Sequence, residues 1–375
     1  MSPMEYDVAV IGGGLHGLSA ALHLARRKRK VVIIERRWIG RHASSATAAG
    51  VRSLSRDPAE IALSRAAMEI WHRIDALVSD DCGFHANGQI RVAKAGDVAR
   101  LEARQVDLLA RGWSHERLVE GAELKRLLPG LAPDYVAGLF VDDDGSADPH
   151  RTLIAFRKAA EGAGATILQG IGVDGAEPVA GGWRIRCGET SIRAAQVVNA
   201  AGAWAAEAAG RFGDPILLGT KASMMMVTER VAPMHLPVIA VVGQALSLKQ
   251  TNQGTLLLGG GLQGRFDLAA ERSEVRMQRL AEAARTALAV LPHIGKAMIT
   301  RTWAGLEAAT PDLLPIIGHS LKAPGLIHAF GFSGHGFALV PIMGRVLADL
   351  VIEGRTEFDL TAFSPARAGV APEAG

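Results

Sequence analysis

One stretch near the start constrains this chain more than any other. Tyr6 to Ile11 is an apolar run rich in β-branched residues, and Gly12-Gly13-Gly14-Leu15-His16-Gly17 follows it directly. An Ala/Leu-rich pattern predicts a helix from Leu15 to about Arg29. A second apolar run, Val31 to Ile34, ends in Glu35. This is a G-x-G-x-x-G turn between strand and helix, with an acid closing the next strand. In that setting Gly12 makes the tight turn, Gly14 admits a pyrophosphate to the backbone, and Gly17 lets helix and strand pack closely. The free N–H groups and positive dipole end of the helix then hold the pyrophosphate, and Glu35 accepts from ribose hydroxyls. The stretch therefore predicts a dinucleotide site.

Composition narrows the rest. At 375 residues and 49% hydrophobic content the chain can bury a large core and form two domains. Net charge is only +3, and the basic run Arg26-Arg27-Lys28-Arg29-Lys30 falls at a helix end, where cations offset the dipole. No basic surface interleaved with aromatics appears elsewhere, which argues against nucleic acid as a partner. Two distant cysteines, Cys82 and Cys187, form no metal or cluster motif and point to a reducing compartment. No apolar run approaches a membrane span, and the apolar start is a glycine-broken strand rather than a signal peptide. The expectation is a soluble cytoplasmic protein with no metal.

Further along, the small-residue run His42 to Gly50 follows the acid, where hydroxyls of Ser44 and Ser45 suit phosphate oxygens. Asp57-Pro58-Ala59-Glu60 predicts an N-cap, a first-turn proline and a capping box opening a helix to about Val78. Asp142-Asp143-Asp144-Gly145 lacks calcium-loop spacing and reads as a solvated turn. Asp148-Pro149 caps another helix. Residues from Lys221 to about Gly261 read as strands, and Glu271 to Leu291 as an amphipathic helix. Met224-Met225-Met226 lies on a strand whose alternation sends at least one methionine into the core. The Ala/Pro/Gly-rich tail from Ser364 is expected to be disordered.

Read together, the glycine turn with Glu35, Ser44-Ser45, Asn199-Ala200-Ala201-Gly202, Trp303-Ala304-Gly305, Thr310-Pro311-Asp312, Pro315-Ile316-Ile317-Gly318 and Gly331-Phe332-Ser333-Gly334-His335-Gly336 resemble the D-amino-acid-oxidase-like FAD-dependent oxidoreductases. The likeness lies with glycine oxidase, sarcosine oxidase and the flavoprotein subunits of opine and hydroxyproline dehydrogenases. It implies an α/β (α+β overall) fold: a Rossmann-like FAD-binding domain of glutathione-reductase type, from 1–80, 145–215 and 310–363. A substrate domain from 81–144 and 216–309 then roofs the flavin with a mixed antiparallel sheet, leaving 364–375 as tail. FAD is implied, noncovalently bound because no cysteine stands near Gly305. Its expected contacts are Gly12, Gly14, Leu15, His16, Gly17, Glu35, Arg36, Ser44, Ser45 and Gly50. Val173, Ala200, Ala201, Gly202, Trp204 and Gly305 follow, then Gly331, Ser333, Gly334, His335, Gly336 and Phe337.

In such proteins the flavin takes a hydride from the carbon α to an amine nitrogen, and the imine hydrolyses; the protein positions and shields. A substrate carboxylate needs a cation, and Arg52 and Arg301 are the candidates for positioning it. His335 is the third candidate. The chain departs from its likeness at Ala338, where sarcosine oxidases carry a carboxylate-binding lysine. It departs again at Glu307, where glycine-oxidase-like members carry an arginine. The oxygen-activating lysine of sarcosine oxidases falls near Leu257, which implies that electrons leave through a partner protein or quinone. The expected function is oxidation of the C–N bond of a small, secondary amino acid, as the flavoprotein subunit of a heteromeric dehydrogenase. Its partner subunits would carry an iron–sulfur cluster or a second flavin. The alternatives are a 2-hydroxy-acid or polyol-phosphate dehydrogenase, with His335 as base, and a non-catalytic FAD-binding scaffold or assembly factor.

Overall fold

The structure is a computed structural model and describes residues 3–367. The first strand β1 (Met4–Ile11), the helix α1 (Leu15–Arg26) and the strand β2 (Val31–Glu35) form where the sequence puts them. Around β1 an eight-stranded sheet assembles in the order Ile316–His319, Leu326–Phe330, Thr190–Asn199, β1, β2 and Thr166–Gln169, with the hairpin Gly175–Val179 and Gly182–Cys187 attached to Thr190–Asn199. The pairs from Leu326–Phe330 through Thr166–Gln169 are parallel. Helices must therefore return the chain across the faces, and strands buried on both sides read as unbroken apolar runs such as Val31 to Ile34. One face is covered by α1 and the last helix, Gly336–Glu353, whose Leu339, Ile342, Met343, Val346 and Leu347 are fully buried.

A second eight-stranded sheet runs Ile299–Ala309, Gly219–Arg230, Thr255–Gly259, Gln244–Gln250, Val238–Val241, Gln89–Lys94, Tyr135–Val141 and Arg117–Glu120. It is mixed, with one parallel pair between Val238–Val241 and Gln89–Lys94. Alternation decides its two faces. Met224 and Met226 enter a core with Leu246, Leu248, Leu258 and the helix Met277–Val290, while Met225 points the other way, into a cavity between the layers.

Several local expectations change in the folded chain. Asp57 does cap, accepting from the Ala59 amide at 2.9 Å, but Glu60 closes no capping box. Its carboxylate is buried without a hydrogen-bond partner among the described residues, and the predicted long helix splits into Ile61–Trp71 and Ile74–Val78. Asp142-Asp143-Asp144 is a solvated turn only at its start, where Asp142 is exposed. Asp144 is fully buried and accepts from the Ser53 amide (2.7 Å), the Ser53 hydroxyl (2.9 Å) and the Leu54 amide (2.8 Å). Asp143 forks onto Arg65. Glu271 does not begin the amphipathic helix, which starts at Met277. Instead it sits between the short strands Arg265–Asp267 and Arg272–Glu274, in the left-handed region at φ 54°. At the tail, Arg367 forks onto Asp312 at 2.6 and 3.1 Å, so order extends past Ser364; 368–375 lie outside the described residues.

Candidate functional site

The two sheets enclose a cavity of about 480 Å³. Its floor is the glycine turn. Gly12 takes φ 104°, and a side chain there would strike the Ala200 carbonyl at 2.5 Å; one at Gly17 would strike the Gly12 carbonyl at 2.0 Å. Gly12, Gly14, Leu15 and His16 line the cavity, whereas Gly17 lies behind them and serves the close packing of α1 on β1. Glu35 faces the cavity while its carboxylate holds the turn, accepting from the Gly13 amide at 2.8 Å and the Arg37 amide at 2.7 Å. Ser44 also lines it, its hydroxyl accepting from the Leu15 amide at 2.9 Å at the start of α1. Ser45 is a correction: its hydroxyl turns away to the Gly40 carbonyl at 2.7 Å, because the 42–46 segment coils and sends adjacent side chains in different directions.

Arg36, Gly50, Val173, Ala200, Ala201, Gly202, Trp204 and Gly305 extend the lining, and Gly331, Ser333, Gly334, His335, Gly336 and Phe337 close it from the far side. At the Arg36 end the lining includes Glu271. Its carboxylate meets Arg37 Nε at 3.0 Å and Arg36 Nε at 3.3 Å, with Arg41 and His42 each at 3.8 Å. Burial pushes that carboxyl upward, but the arginines outweigh it and hold it below the usual range. His42 packs on Trp204 and is pushed down to about 4 by burial and Arg41.

The other end holds cations. Arg52 reaches the cavity from the segment that Asp144 anchors, and its hydrogen bond goes to the Leu54 carbonyl. Arg56 is 1% exposed; it donates to the Arg52 and His335 carbonyls and leaves Nη1 unpartnered. Among the described residues neither guanidinium has an ion-pair partner. Burial and mutual repulsion hold Arg52 down at about 9, and burial lowers Arg56 as well. Gln89, also on the cavity, is buried with Oε1 unpartnered. His335 precedes the last helix without capping it by its side chain. Burial, then Arg56 and Arg52, depress its imidazole to about 2, so it stays neutral and is a weak base. His16, stacked on Phe332 at 3.9 Å between ring centres, is depressed by burial to about 3.

Arg301 is the second correction. It is exposed, lies opposite Val227 and stacks over Trp303 at 6.0 Å, away from the cavity. Its strand outruns the pocket: it stands six positions from Glu307, about 20 Å of extended chain. Sequence reasoning missed Arg56, Gln89, Lys221, Ser223, Gln263 and Glu271 as lining residues. Lys221 and Ser223 share the inward face of one strand with Met225, so strand alternation was the available signal; the others carried none.

Fold and cavity together define a two-layer dinucleotide-binding protein. The chain belongs to the family described as FAD dependent oxidoreductase, whose sequence profile matches residues 7–350. It is 30% identical to glycine oxidase of Geobacillus kaustophilus, over 97% of each chain. It is 27% identical to one of the opine oxidase subunits of Agrobacterium tumefaciens, over 97% of this chain and 98% of that one. Among solved structures it superposes on L-proline dehydrogenase from P. horikoshii with a TM-score of 0.89 and 26% identity, covering 97% and 98%. The cradle fits FAD. The turn at Gly12 and Gly14 leaves backbone room for the pyrophosphate, and a side chain at Gly336 would strike His16 Nε2 at 2.8 Å. No helix among the described residues is long and apolar enough to cross a membrane, and no cluster there could hold a metal ion.

Proposed function

We propose that this protein is an FAD-dependent amino-acid dehydrogenase or oxidase that breaks the α C–H bond beside the nitrogen of a small, secondary amino acid. The observation that carries this is Arg52. A half-buried guanidinium with no carboxylate partner among the described residues, reinforced by the buried Arg56 and facing the cavity, is a site prepared for an anion. An amino-acid carboxylate matches it bidentately. The residues proposed to hold FAD are those of the glycine turn, Glu35, Ala200 to Gly202 and the Gly331–Phe337 stretch, without a covalent link. Bound there, FAD supplies the hydride acceptor. Arg52 fixes the carboxylate and so orients the α carbon; the second sheet, with Met225 and Leu306, keeps water out.

Hydride loss from a neutral amine requires no base. His335, depressed to about 2, is poorly suited to take a hydroxyl proton, which weighs against the 2-hydroxy-acid and polyol-phosphate readings. The opine oxidase and sarcosine oxidase relatives are, by their names, subunits of those oxidases. They support a heteromeric dehydrogenase in which this chain passes electrons to a partner bearing an iron–sulfur cluster or second flavin. In this reading the glycine-turn sheet is the FAD layer and the mixed sheet the substrate roof. The test is anaerobic bleaching of the bound flavin with D- and L-amino acids, N-methyl amino acids, hydroxyprolines, opines and 2-hydroxy acids, followed by air. Bleaching by an amine with slow reoxidation supports the dehydrogenase; bleaching by hydroxy acids alone overturns the C–N assignment.

A further inference from the structure

Besides its arginines, the cavity presents an acid. Glu307 lines the cavity and lies opposite Lys221 in the paired strands Gly219–Arg230 and Ile299–Ala309. Despite that register, no ion pair joins them among the described residues. Glu307 Oε1 accepts from the Ser223 hydroxyl. Ser223 in turn accepts from Gln263 Nε2 at 3.2 Å, and Gln263 is pinned by the Ala222 amide at 2.8 Å and the Gly261 carbonyl at 2.6 Å. The chain of bonds fixes the carboxylate beside Gly334, whose added side chain would stand 3.8 Å from Oε2. Burial raises its carboxyl despite the Ser223 bond and Lys221. A carboxylate oriented by a network, partly desolvated and without an ion pair among the described residues is stabilised by a cation that arrives with the ligand.

That cation is not the reacting nitrogen. Hydride loss from the α carbon needs the nitrogen lone pair, and a carboxylate paired with the ammonium would hold its proton in place. We therefore propose that Glu307, set by Ser223 and Gln263, is a cation subsite, and that the substrate carries a second, positively charged nitrogen group, an ammonium or guanidinium, apart from the amine that is oxidised. The inference rests on the amine-oxidation reading and names its substrate class: carboxylates on Arg52, a basic side chain or N-substituent on Glu307.

Arginine and citrulline test it, because they share length and shape while only arginine is charged at the far end. Binding of each enantiomer to the FAD-loaded protein is measured by titration calorimetry, for the parent and for Glu307→Gln, which keeps the Ser223 bond. The expected result is at least about tenfold tighter binding of arginine than citrulline in the parent, shrinking to within about twofold in the variant with citrulline affinity unchanged. Equal binding by the parent, no arginine binding, or a preference that survives in Glu307→Gln each overturns the subsite. Bleaching of the flavin by amines without any arginine–citrulline difference removes this inference and leaves amine oxidation standing. Bleaching by no amine at all removes both.

Discussion

Replacing Arg52 with methionine tests whether the guanidinium serves the ligand or the fold. The methionine keeps most of the length and removes the charge. Arg52 is held from 12.5 down to about 9, by burial first and Arg56 second. At roughly 1.4 kcal/mol per unit the stress on the charged form has a ceiling near 5 kcal/mol. Solvent in the open cavity screens part of that, and the bond to the Leu54 carbonyl offsets about 1 kcal/mol more. The ligand-free variant is therefore expected to be more stable by about 1–3 kcal/mol, a rise in Tm of about 1–4 °C for a chain of this size. Carboxylate binding should fall about 30- to 150-fold, the worth of a charge-assisted pair. Thermal unfolding of the FAD-loaded protein, with and without a saturating amino acid, reads both quantities, because a ligand that binds the native state raises Tm by mass action. A variant that is less stable than the parent yet still stabilised by the ligand would make Arg52 a structural brace and refute the anion site.

Three further substitutions probe the frame around the site. Asp144→Ala strands the buried Ser53 and Leu54 amides and should cost about 3–5 kcal/mol in denaturant unfolding; it should also weaken carboxylate binding with Arg52 still present. Lys249 is buried with one bond, to the Ala147 carbonyl at 3.3 Å, and burial lowers it from 10.5 to about 8. The folded state therefore loses its proton before the unfolded state does. Its penalty is full below pH 8 and relieved between about pH 8 and 10.5, so stability rises with pH across that window. Lys249→Met should abolish that rise and add about 2–3 kcal/mol at pH 7, measured by urea unfolding across pH. Gly336→Ala places a carbon 2.8 Å from His16 Nε2 and 2.9 Å from Phe332 Cβ. It should release FAD on dialysis, read as lost flavin absorbance, with the far-ultraviolet dichroism retained.

Much of the nucleotide half was legible because its signals are local. A φ of 104° at Gly12, a helix that begins two residues after Gly13, and caps at Asp57 and Asp148 depend on neighbours within a few positions of the chain. The same locality misled at Glu60, where the right spacing for a capping box gave a buried, unpartnered carboxylate beside His335, 3.6 Å from its Nδ1. In the roof sheet the pattern gave strands without saying where the cavity ends. Arg301 and Glu307 sit on one strand with the same parity, and only the register against Gly219–Arg230 and the extent of the cavity separate an exposed arginine from a half-buried acid on the cavity.

By itself, then, the sequence determined the glycine turn and the acid that closes β2, because backbone conformations and capping bonds are written in adjacent residues, while the resemblance carried by its scattered motifs implied the family and its FAD. Tertiary structure alone decided which charges lie in the dark. Asp144 became an anchor for the Arg52 segment, Glu271 a clasp on Arg36 and Arg37, and Glu307 an acid without an ion pair among the described residues. Each of those outcomes depends on partners far along the chain, and a charge is cheap or costly according to what the fold packs against it.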